Sequence, residues 1–282
     1  MPGKTTTPRP VYRFEYDWIC CKCNFNNSCV NHVQCINSRC QHARCSTCGK
    51  EARRVRVDGV DNLRDAGGHA IKSNPGKAIR RGVLYRSAHL NKLEDNGFAV
   101  LQGLGITKVF DLRSVVEIAK DNGEQAQPSW PGVTRVFAPI FLDKDYSPEA
   151  LALRFRYYSD GPEVSVIIAL VLALCGLDDD AIADEYSLTD AGLAVRKEEI
   201  VQRLIQGEAL FGDRERAERM VSARKENMLG TLALIHEKYG SVEKYVVDHL
   251  GVSPASVDQI RRNLIVDCDD DAQDGPNGEP RL

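Results

Sequence analysis

The sequence predicts an α/β protein with a small cysteine-rich module near its N-terminus. Segments rich in β-branched and aromatic residues alternate with an amphipathic segment between residues 83 and 140, and helical patterns fill residues 180–265. Eight of the ten cysteines fall between Cys20 and Cys48. With 282 residues, 43% of them hydrophobic and 27% charged, the chain can bury one sizeable core and carry a smaller module beside it.

Composition divides the chain into four parts. We predict a flexible leader over residues 1–17, a cysteine-rich module over 18–50, a main domain over 55–266 and a disordered acidic tail over 267–282. The net charge is −3, which argues against a protein whose overall surface binds polyanions. No apolar run reaches the roughly 20 residues that span a bilayer, and no signal peptide is recognisable. We therefore expect an intracellular protein, either cytoplasmic or nuclear.

The first half of the main domain has a βαβ pattern. A helix is predicted over Leu90–Leu104, because apolar residues recur at helical spacing and Gly105 provides a stop. Three runs of β-branched and aromatic residues predict strands, at Val83–Arg86, Ile106–Leu112 and Val133–Ile140.

The second half is predicted to be helical. Val164–Leu177 (VSVIIALVLALCGL) is too short to cross a membrane and fits a buried helix, in which Cys175 is a packing residue. Further helices are predicted over residues 180–188, 194–205, 214–239, 242–250 and 254–265.

The cysteine-rich module has the spacing of a structural zinc site. Cys20 and Cys23 form one CxxC knuckle, and Cys45 and Cys48 form another. The predicted ligand set is Cys20, Cys23, Cys35, Cys40, Cys45 and Cys48, with Cys21, Cys29, His32 and His42 also available for a second ion. The spacing does not tell which four bind together. The alternative is that these cysteines are unligated or redox-active thiols. Residues 1–57 hold ten basic and three acidic side chains, so nucleic acid is a possible partner.

Three consecutive motifs in the main domain resemble a known enzyme family. They are VDNLRDAGGHA (60–70), RRGVLYRSAHL (80–90) and LGITKVFDLRS (104–114). In this order they resemble the atypical bacterial and fungal branch of tyrosine phosphatases, and the likeness extends over roughly residues 60–265. The resemblance implies a tyrosine-phosphatase-like sheet flanked by helices. It also implies a phosphorylated protein or phosphoinositide as substrate, with no cofactor in that domain.

The loop that performs the chemistry in that family is missing from this sequence. Family members carry HCxxGKDRTG ahead of the long apolar helix, and its cysteine thiolate attacks phosphorus. Here RYYSDGPE (156–163) is followed directly by Val164. The only cysteine with an arginine six residues later is Cys48, which belongs to a zinc knuckle. We therefore expect impaired catalysis. Three alternatives stay open: a truncated version of an active enzyme, a pseudophosphatase, and an adaptor that acts through the zinc module.

The motifs also provide candidate site residues. By the resemblance, Asp111 is a candidate general acid, although a turn-capping role is as good an explanation. Arg64, Asp65 and Arg113 match positions that line or brace the substrate pocket. Gly67 and Gly68 are expected to allow a turn with positive φ, and Arg86 is expected to be architectural.

Overall fold

The computed structural model describes residues 14–19, 26–27, 49–55, 57–88, 90, 92–120, 131–139, 163–207 and 210–268. The chain divides into two compact units. Unit 1 comprises Met1–Arg64, Ser87–Pro139 and Pro280–Leu282, and unit 2 comprises Asp65–Arg86 and Ile140–Glu279.

Short strands come first along the described chain, helices and strands alternate over residues 95–137, and helices fill the second half. The strands are β1 (Phe14–Ile19), β2 (Asn26–Asn27), β3 (Gly49–Val55), β4 (Arg64–Asp65), β5 (Lys77–Ile79), β6 (Tyr85–Arg86), β7 (Lys108–Asp111), β8 (Thr134–Phe137) and β9 (Ile265–Asp267). The helices are α1 (Asp95–Gly103), α2 (Val115–Lys120), α3 (Glu163–Leu174), α4 (Asp179–Gly192), α5 (Lys197–Gln206), α6 (Arg214–Val221), α7 (Lys225–Tyr239), α8 (Val242–Lys244) and α9 (Pro254–Leu264). A π-helical turn, Tyr245–His249, continues α8. The mixed α/β class and the helical second half are thus confirmed.

Unit 1 contains an antiparallel sheet in which β1 lies between β2 and β3. At the end of β1, Ile19 pairs with both Asn26 of β2 and Gly49 of β3. Arg54 of β3 pairs with Arg64, the first residue of β4. This sheet includes the first and last residues of the segment 18–50 in which the cysteine-rich module is predicted.

Unit 1 also contains a βαβ arrangement that differs from the predicted one, because its helix is α2 rather than the helix predicted over Leu90–Leu104. Strands β7 and β8 are parallel, with Asp111 paired to Phe137, and α2 lies between them in sequence. Both strands fall within the predicted ranges. Helix α1 begins at Asp95 rather than at Leu90, because a turn precedes it: the amide of Leu93 bonds to the carbonyl of Leu90 at 3.1 Å, and Glu94 is extended.

Unit 2 is built around the apolar helix α3, as predicted. Helix α3 packs against α4, α8 and α9, and α4 packs against α7. Its residues Ile168, Ala169 and Leu172 are buried, and Cys175, directly after the helix, is 3% exposed. At the C-terminal end, Arg261 Nε of α9 donates to the carbonyl of Leu174 at 2.9 Å. This bond satisfies a helix-end carbonyl that has no partner within the helix.

Two predicted helices differ from the structure. The helix predicted over 214–239 is two helices, because Ser222 is extended and the amide of the buried Ala223 donates to Asp190 Oδ1 at 2.8 Å. The last predicted helix ends at Leu264. Ile265 starts β9 instead, and it pairs with Ile79 of β5 in an antiparallel ladder.

Among the described parts of the chain, no helix combines the length and apolar character that a bilayer-spanning segment needs.

Candidate functional site

The DLRS motif places Asp111 at the carboxyl end of a strand in unit 1. Asp111 is the last residue of β7, and its carbonyl accepts the amide of Ala138 at 2.9 Å. Val109 and Asp111 lie on the same face of the strand pair, because side chains two residues apart on a strand share a face. Arg135 is the Cα partner of Val109, so it lies on that face as well. The parallel register thus brings the carboxylate of Asp111 and the guanidinium of Arg135 to the same face.

Two arginines hold the carboxylate of Asp111. Oδ1 accepts the backbone amide of Arg113 at 3.1 Å and its Nε at 3.0 Å. Oδ2 accepts Nη2 of Arg113 at 2.8 Å and also accepts Nη2 of Arg135. One carboxylate thus bonds to two guanidinium groups, and the cluster of Asp111, Arg113 and Arg135 carries a net charge of +1.

This pairing sets the protonation state of Asp111. Partial burial raises the pKa of its carboxyl group, but the hydrogen bonds from Arg113 and Arg135 outweigh burial and lower the pKa to about 2. In this arrangement Asp111 is therefore ionised at neutral pH and orients the two arginines. A general acid needs a proton to give. The assignment of Asp111 as the acid stays a prediction.

The last four residues of the NLRDAGG motif, 65–68, form a tight turn in unit 2 that Asp65 holds in place. Its Oδ1 accepts the amide of Gly67 at 2.9 Å, and its Oδ2 accepts the amide of Gly82 at 2.8 Å. Gly68 has a φ of 88°, as predicted. Gly67 is required for a different reason, because a Cβ atom there would lie 2.2 Å from the carbonyl oxygen of Arg80. These contacts give Asp65 a bracing role, and its contact with substrate stays a prediction.

Arg64 belongs to unit 1 and is buried, with 1% of its surface exposed. Its Nη1 donates to Oδ1 of Asn62, a residue with a φ of 58°. Asparagine is one of the few residues that adopt this left-handed conformation readily. The described contact therefore supports the local turn, and the predicted contact between Arg64 and substrate stays a prediction.

The LYRS motif contributes a buried arginine to unit 2, in keeping with the expected architectural role. Arg86 Nη1 bonds to Oε2 of Glu185 on α4 at 2.9 Å, and Nη2 donates to Oγ of Ser165 in the first turn of α3 at 2.6 Å. All three side chains are almost fully buried. Arg86 thus ties the start of the apolar helix to α4.

The sequence prediction missed three residues that complete these clusters: Arg135, Glu185 and Ser165. Arg135 stands in a predicted strand, and its side chain is 18% exposed in the structure. Glu185 interrupts the apolar face of α4, where a charged residue signals a partner. That signal was present in the sequence, but it does not identify the partner.

The predicted zinc ligands Cys20, Cys23, Cys35, Cys40, Cys45 and Cys48 lie outside the described residues. Within the part of the chain that the structure describes, no group of three or more His, Cys, Asp or Glu side chains is arranged to hold a metal ion. Cys175 is buried and Cys268 is partly exposed, and both are free thiols.

Comparison with known proteins identifies relatives of this chain. The sequence model of the tyrosine phosphatase family matches residues 55–162 and 166–266. The chain is also similar to the triple specificity protein phosphatase PtpB of Mycobacterium tuberculosis. The two are 25% identical over an alignment of 277 positions, gaps included, which covers 74% of this chain and 98% of PtpB.

Proposed function

Because the chain belongs to the tyrosine phosphatase family, we propose that it recognises phosphate monoesters on proteins or phosphoinositides but is catalytically impaired. The chemistry of this family requires a thiolate that attacks phosphorus and forms a cysteinyl-phosphate intermediate. The proposal therefore depends on which cysteines the family region contains.

The observation that carries the proposal is the environment of Cys175. It is the only cysteine in residues 55–266, the range that the family match spans. Its side chain is 3% exposed, and burial raises its pKa to about 11. At pH 7 a thiol with that pKa is about 0.01% thiolate. The residue six positions later is Ala181, so no arginine follows at the spacing that cradles a phosphate. Cys175 is therefore unsuited to act as a nucleophile, because it is buried, its thiol is protonated at neutral pH, and no arginine follows at the required spacing.

The comparisons support a loss at one junction. The family match is interrupted between residues 162 and 166, at the point where we predict that the HCxxGKDRTG loop is missing. The alignment with PtpB extends over 277 positions but uses only 74% of this chain's 282 residues. Several tens of PtpB residues therefore have no counterpart here.

We assign phosphate recognition to the cluster of Asp111, Arg113 and Arg135. Guanidinium groups bind phosphate oxygens through planar pairs of N–H donors. Asp111 fixes the plane of the Arg113 guanidinium through Nε and Nη2, and the cluster keeps a net positive charge.

Turnover of p-nitrophenyl phosphate by the purified 282-residue chain tests the loss of activity. We expect a rate equal to that of a heat-inactivated sample, and the same rate for Cys175→Ala. Removal of the nucleophile and the phosphate cradle together abolishes both the covalent step and the stabilisation of transition-state charge. Turnover above the control that iodoacetate eliminates would overturn the proposal.

Binding of a phosphotyrosine peptide, measured by calorimetry against its unphosphorylated form, tests recognition separately. We expect the phosphorylated peptide alone to bind, and Arg113→Ala to weaken binding roughly tenfold, as loss of a charge-assisted contact does. Arg203→Ala, which removes an exposed arginine on α5, is the matched control and should bind like the wild type. Equal affinity for both peptides would contradict the assignment.

The second candidate is an active phosphatase encoded by the same gene in a longer form. The interrupted family match favours it as well. The test is to sequence transcripts and genomic DNA between the codons for Glu163 and Val164. An in-frame HCxxGKDRTG segment would establish the longer form, and uninterrupted coding sequence would exclude it.

A further inference from the structure

From the register of β7 and β8, we infer that Phe137 makes the phosphate-binding cluster selective for aryl phosphates such as phosphotyrosine. The inference rests on the proposed recognition of phosphate by Asp111, Arg113 and Arg135, and it adds a residue that contacts the group esterified to the phosphate. A guanidinium binds phosphate oxygens whatever group they esterify. The arginines alone therefore do not distinguish phosphotyrosine from phosphoserine or from a phosphoinositide.

Phe137 lies beside the cluster, on the same face of the strand pair. Its Cα partner on β7 is Asp111. Side chains of paired residues on neighbouring strands project to the same face, and the strands lie about 4.8 Å apart. Arg135 precedes Phe137 by two residues on β8 and shares that face as well. The ring of Phe137 therefore adjoins the carboxylate that holds both guanidinium groups.

The ring of Phe137 is accessible to a ligand. Phe137 is 49% exposed, whereas the side chain of Asp111 beside it is only 9% exposed. A second ring placed against a half-exposed phenyl group removes apolar surface of both rings from water, which is favourable. A phosphate bound by Arg113 and Arg135 would bring the group that carries it within reach of this surface.

Aryl and alkyl phosphates differ in what they offer to this ring. The phenyl group of phosphotyrosine can stack on Phe137 in an offset or edge-to-face arrangement. The side chain of phosphoserine has no ring, and an inositol ring carries hydroxyl groups that lose hydrogen bonds to water against an apolar side chain. One aromatic pair corresponds to a roughly threefold to tenfold difference in affinity.

Exposure alone does not distinguish Phe137, because Phe110 of β7 is 60% exposed. Phe110 directly precedes Asp111, and successive side chains on a strand project to opposite faces. Its Cα partner is Val136, so it lies on the face opposite the cluster. The strand pair thus carries two exposed phenylalanines, and Phe137 is the one that adjoins the charged residues.

Calorimetry on the full chain, with a phosphotyrosine peptide and a phosphoserine peptide of otherwise identical sequence, tests the inference. We expect the wild type to bind the phosphotyrosine peptide roughly threefold to tenfold more tightly. Phe137→Ala should remove this preference without changing the affinity for the phosphoserine peptide, and Phe137→Tyr should retain the preference because it keeps a ring. Phe110→Ala is the matched control and should retain it too.

The possible failures of the experiment can be told apart. Equal affinity of the wild type for both phosphopeptides, with binding that Arg113→Ala weakens, would overturn the role of Phe137 and leave phosphate recognition intact. A preference that Phe137→Ala retains, or that Phe110→Ala also removes, would overturn it as well. If neither phosphopeptide bound more tightly than the unphosphorylated peptide, the proposed function would fail and this inference with it.

Competition on the wild-type protein gives a readout that does not depend on how well a variant folds. Phenyl phosphate should displace the bound phosphotyrosine peptide at a concentration roughly threefold to tenfold lower than inositol 1-phosphate does, because it alone presents an aromatic ring. Equal potency of the two small phosphates would contradict selection by Phe137.

Discussion

Arg86 and Ser165 are joined by a hydrogen bond of 2.6 Å although 79 residues separate them in sequence. The bond fixes a motif residue to the first turn of the apolar helix α3. The same guanidinium forms an ion pair with Glu185, and both charged side chains are about 97% buried. Buried charges depend on their partners, because water cannot replace the lost contact.

We therefore predict a graded loss of stability in this cluster. Glu185→Gln should lower the free energy of unfolding by about 3–5 kcal/mol, since it leaves the charge of Arg86 buried and unpaired. Ser165→Ala should cost about 1–3 kcal/mol, the range for a buried donor without its acceptor. Urea unfolding followed by circular dichroism measures both.

Glu218→Gln is the matched control for that series. Glu218 pairs with Arg214 at 2.7 Å, but both side chains are nearly half exposed. Exposed pairs contribute about 0–1 kcal/mol, so this variant should unfold almost like the wild type. Equal effects of Glu185→Gln and Glu218→Gln would contradict the structural role of Arg86.

A second prediction concerns acid stability. The pKa of Asp111 lies near 2, below its value in an unfolded chain, so the unfolded state takes up a proton first as pH falls. The stabilisation from Asp111 is therefore complete above about pH 4 and declines as pH falls towards 2. Compared with Asp111→Asn at pH 7, the wild type should be more stable by about 1 kcal/mol, after allowance for screening by water.

Unfolding of wild type and Asp111→Asn between pH 2 and pH 7 measures this effect, and the two curves should converge at the acid end. Asp258→Asn is the control, because Asp258 is 59% exposed and lies 3.6 Å from Arg261. If the difference in free energy of unfolding between wild type and Asp111→Asn stayed constant down to pH 2, Asp111 would not be stabilised as a carboxylate by Arg113 and Arg135.

A third prediction uses one substitution at two glycines. Gly67→Ala should destabilise the protein by about 1–3 kcal/mol, because the new methyl group would lie 2.2 Å from the carbonyl oxygen of Arg80. Gly230→Ala, in the exposed middle of α7 with no atom within 4 Å of the added Cβ, should stabilise it by about 0.5–1 kcal/mol. Thermal unfolding compares the two variants. If both changed the melting temperature in the same direction, the close contact between residue 67 and the carbonyl of Arg80 would be contradicted.

A fourth prediction concerns the two thiols outside the cysteine-rich module. Iodoacetamide should modify the partly exposed Cys268 well before the buried Cys175 in the native protein. Burial also raises the pKa of Cys175, which keeps its thiol protonated. Peptide mass spectrometry measures both sites, and urea should bring the two rates together. If Cys175 in the native protein reacted as fast as Cys268, the conclusion that Cys175 cannot act as a nucleophile would be wrong.

Local patterns account for the elements that the sequence predicted correctly. Strands β7 and β8 follow from runs of β-branched and aromatic residues, and α3 follows from an apolar run of helical length. These signals lie within a few residues of one another, so they do not depend on the rest of the chain.

The structure differs from the sequence prediction where a residue far away in sequence determines the local conformation or the contact. The break between α6 and α7 depends on Asp190, which accepts the amide of Ala223 from 33 residues away. Arg135 reaches Asp111 from 24 residues away, and Glu185 reaches Arg86 from 99. The motifs identified Asp111, Arg113 and Arg86, but a single sequence cannot reveal which residue each of them contacts.

Helix α3 is anchored at both ends, by Arg86 on Ser165 and by Arg261 on the carbonyl of Leu174. The side chains between these anchors are all apolar and form no directional bonds of their own. The two polar bonds therefore oppose sliding of the helix, since a displacement along the helix axis breaks both at once. The axial register of α3 is thereby set from within unit 2, so the length of chain that precedes Glu163 can change without displacing the helix.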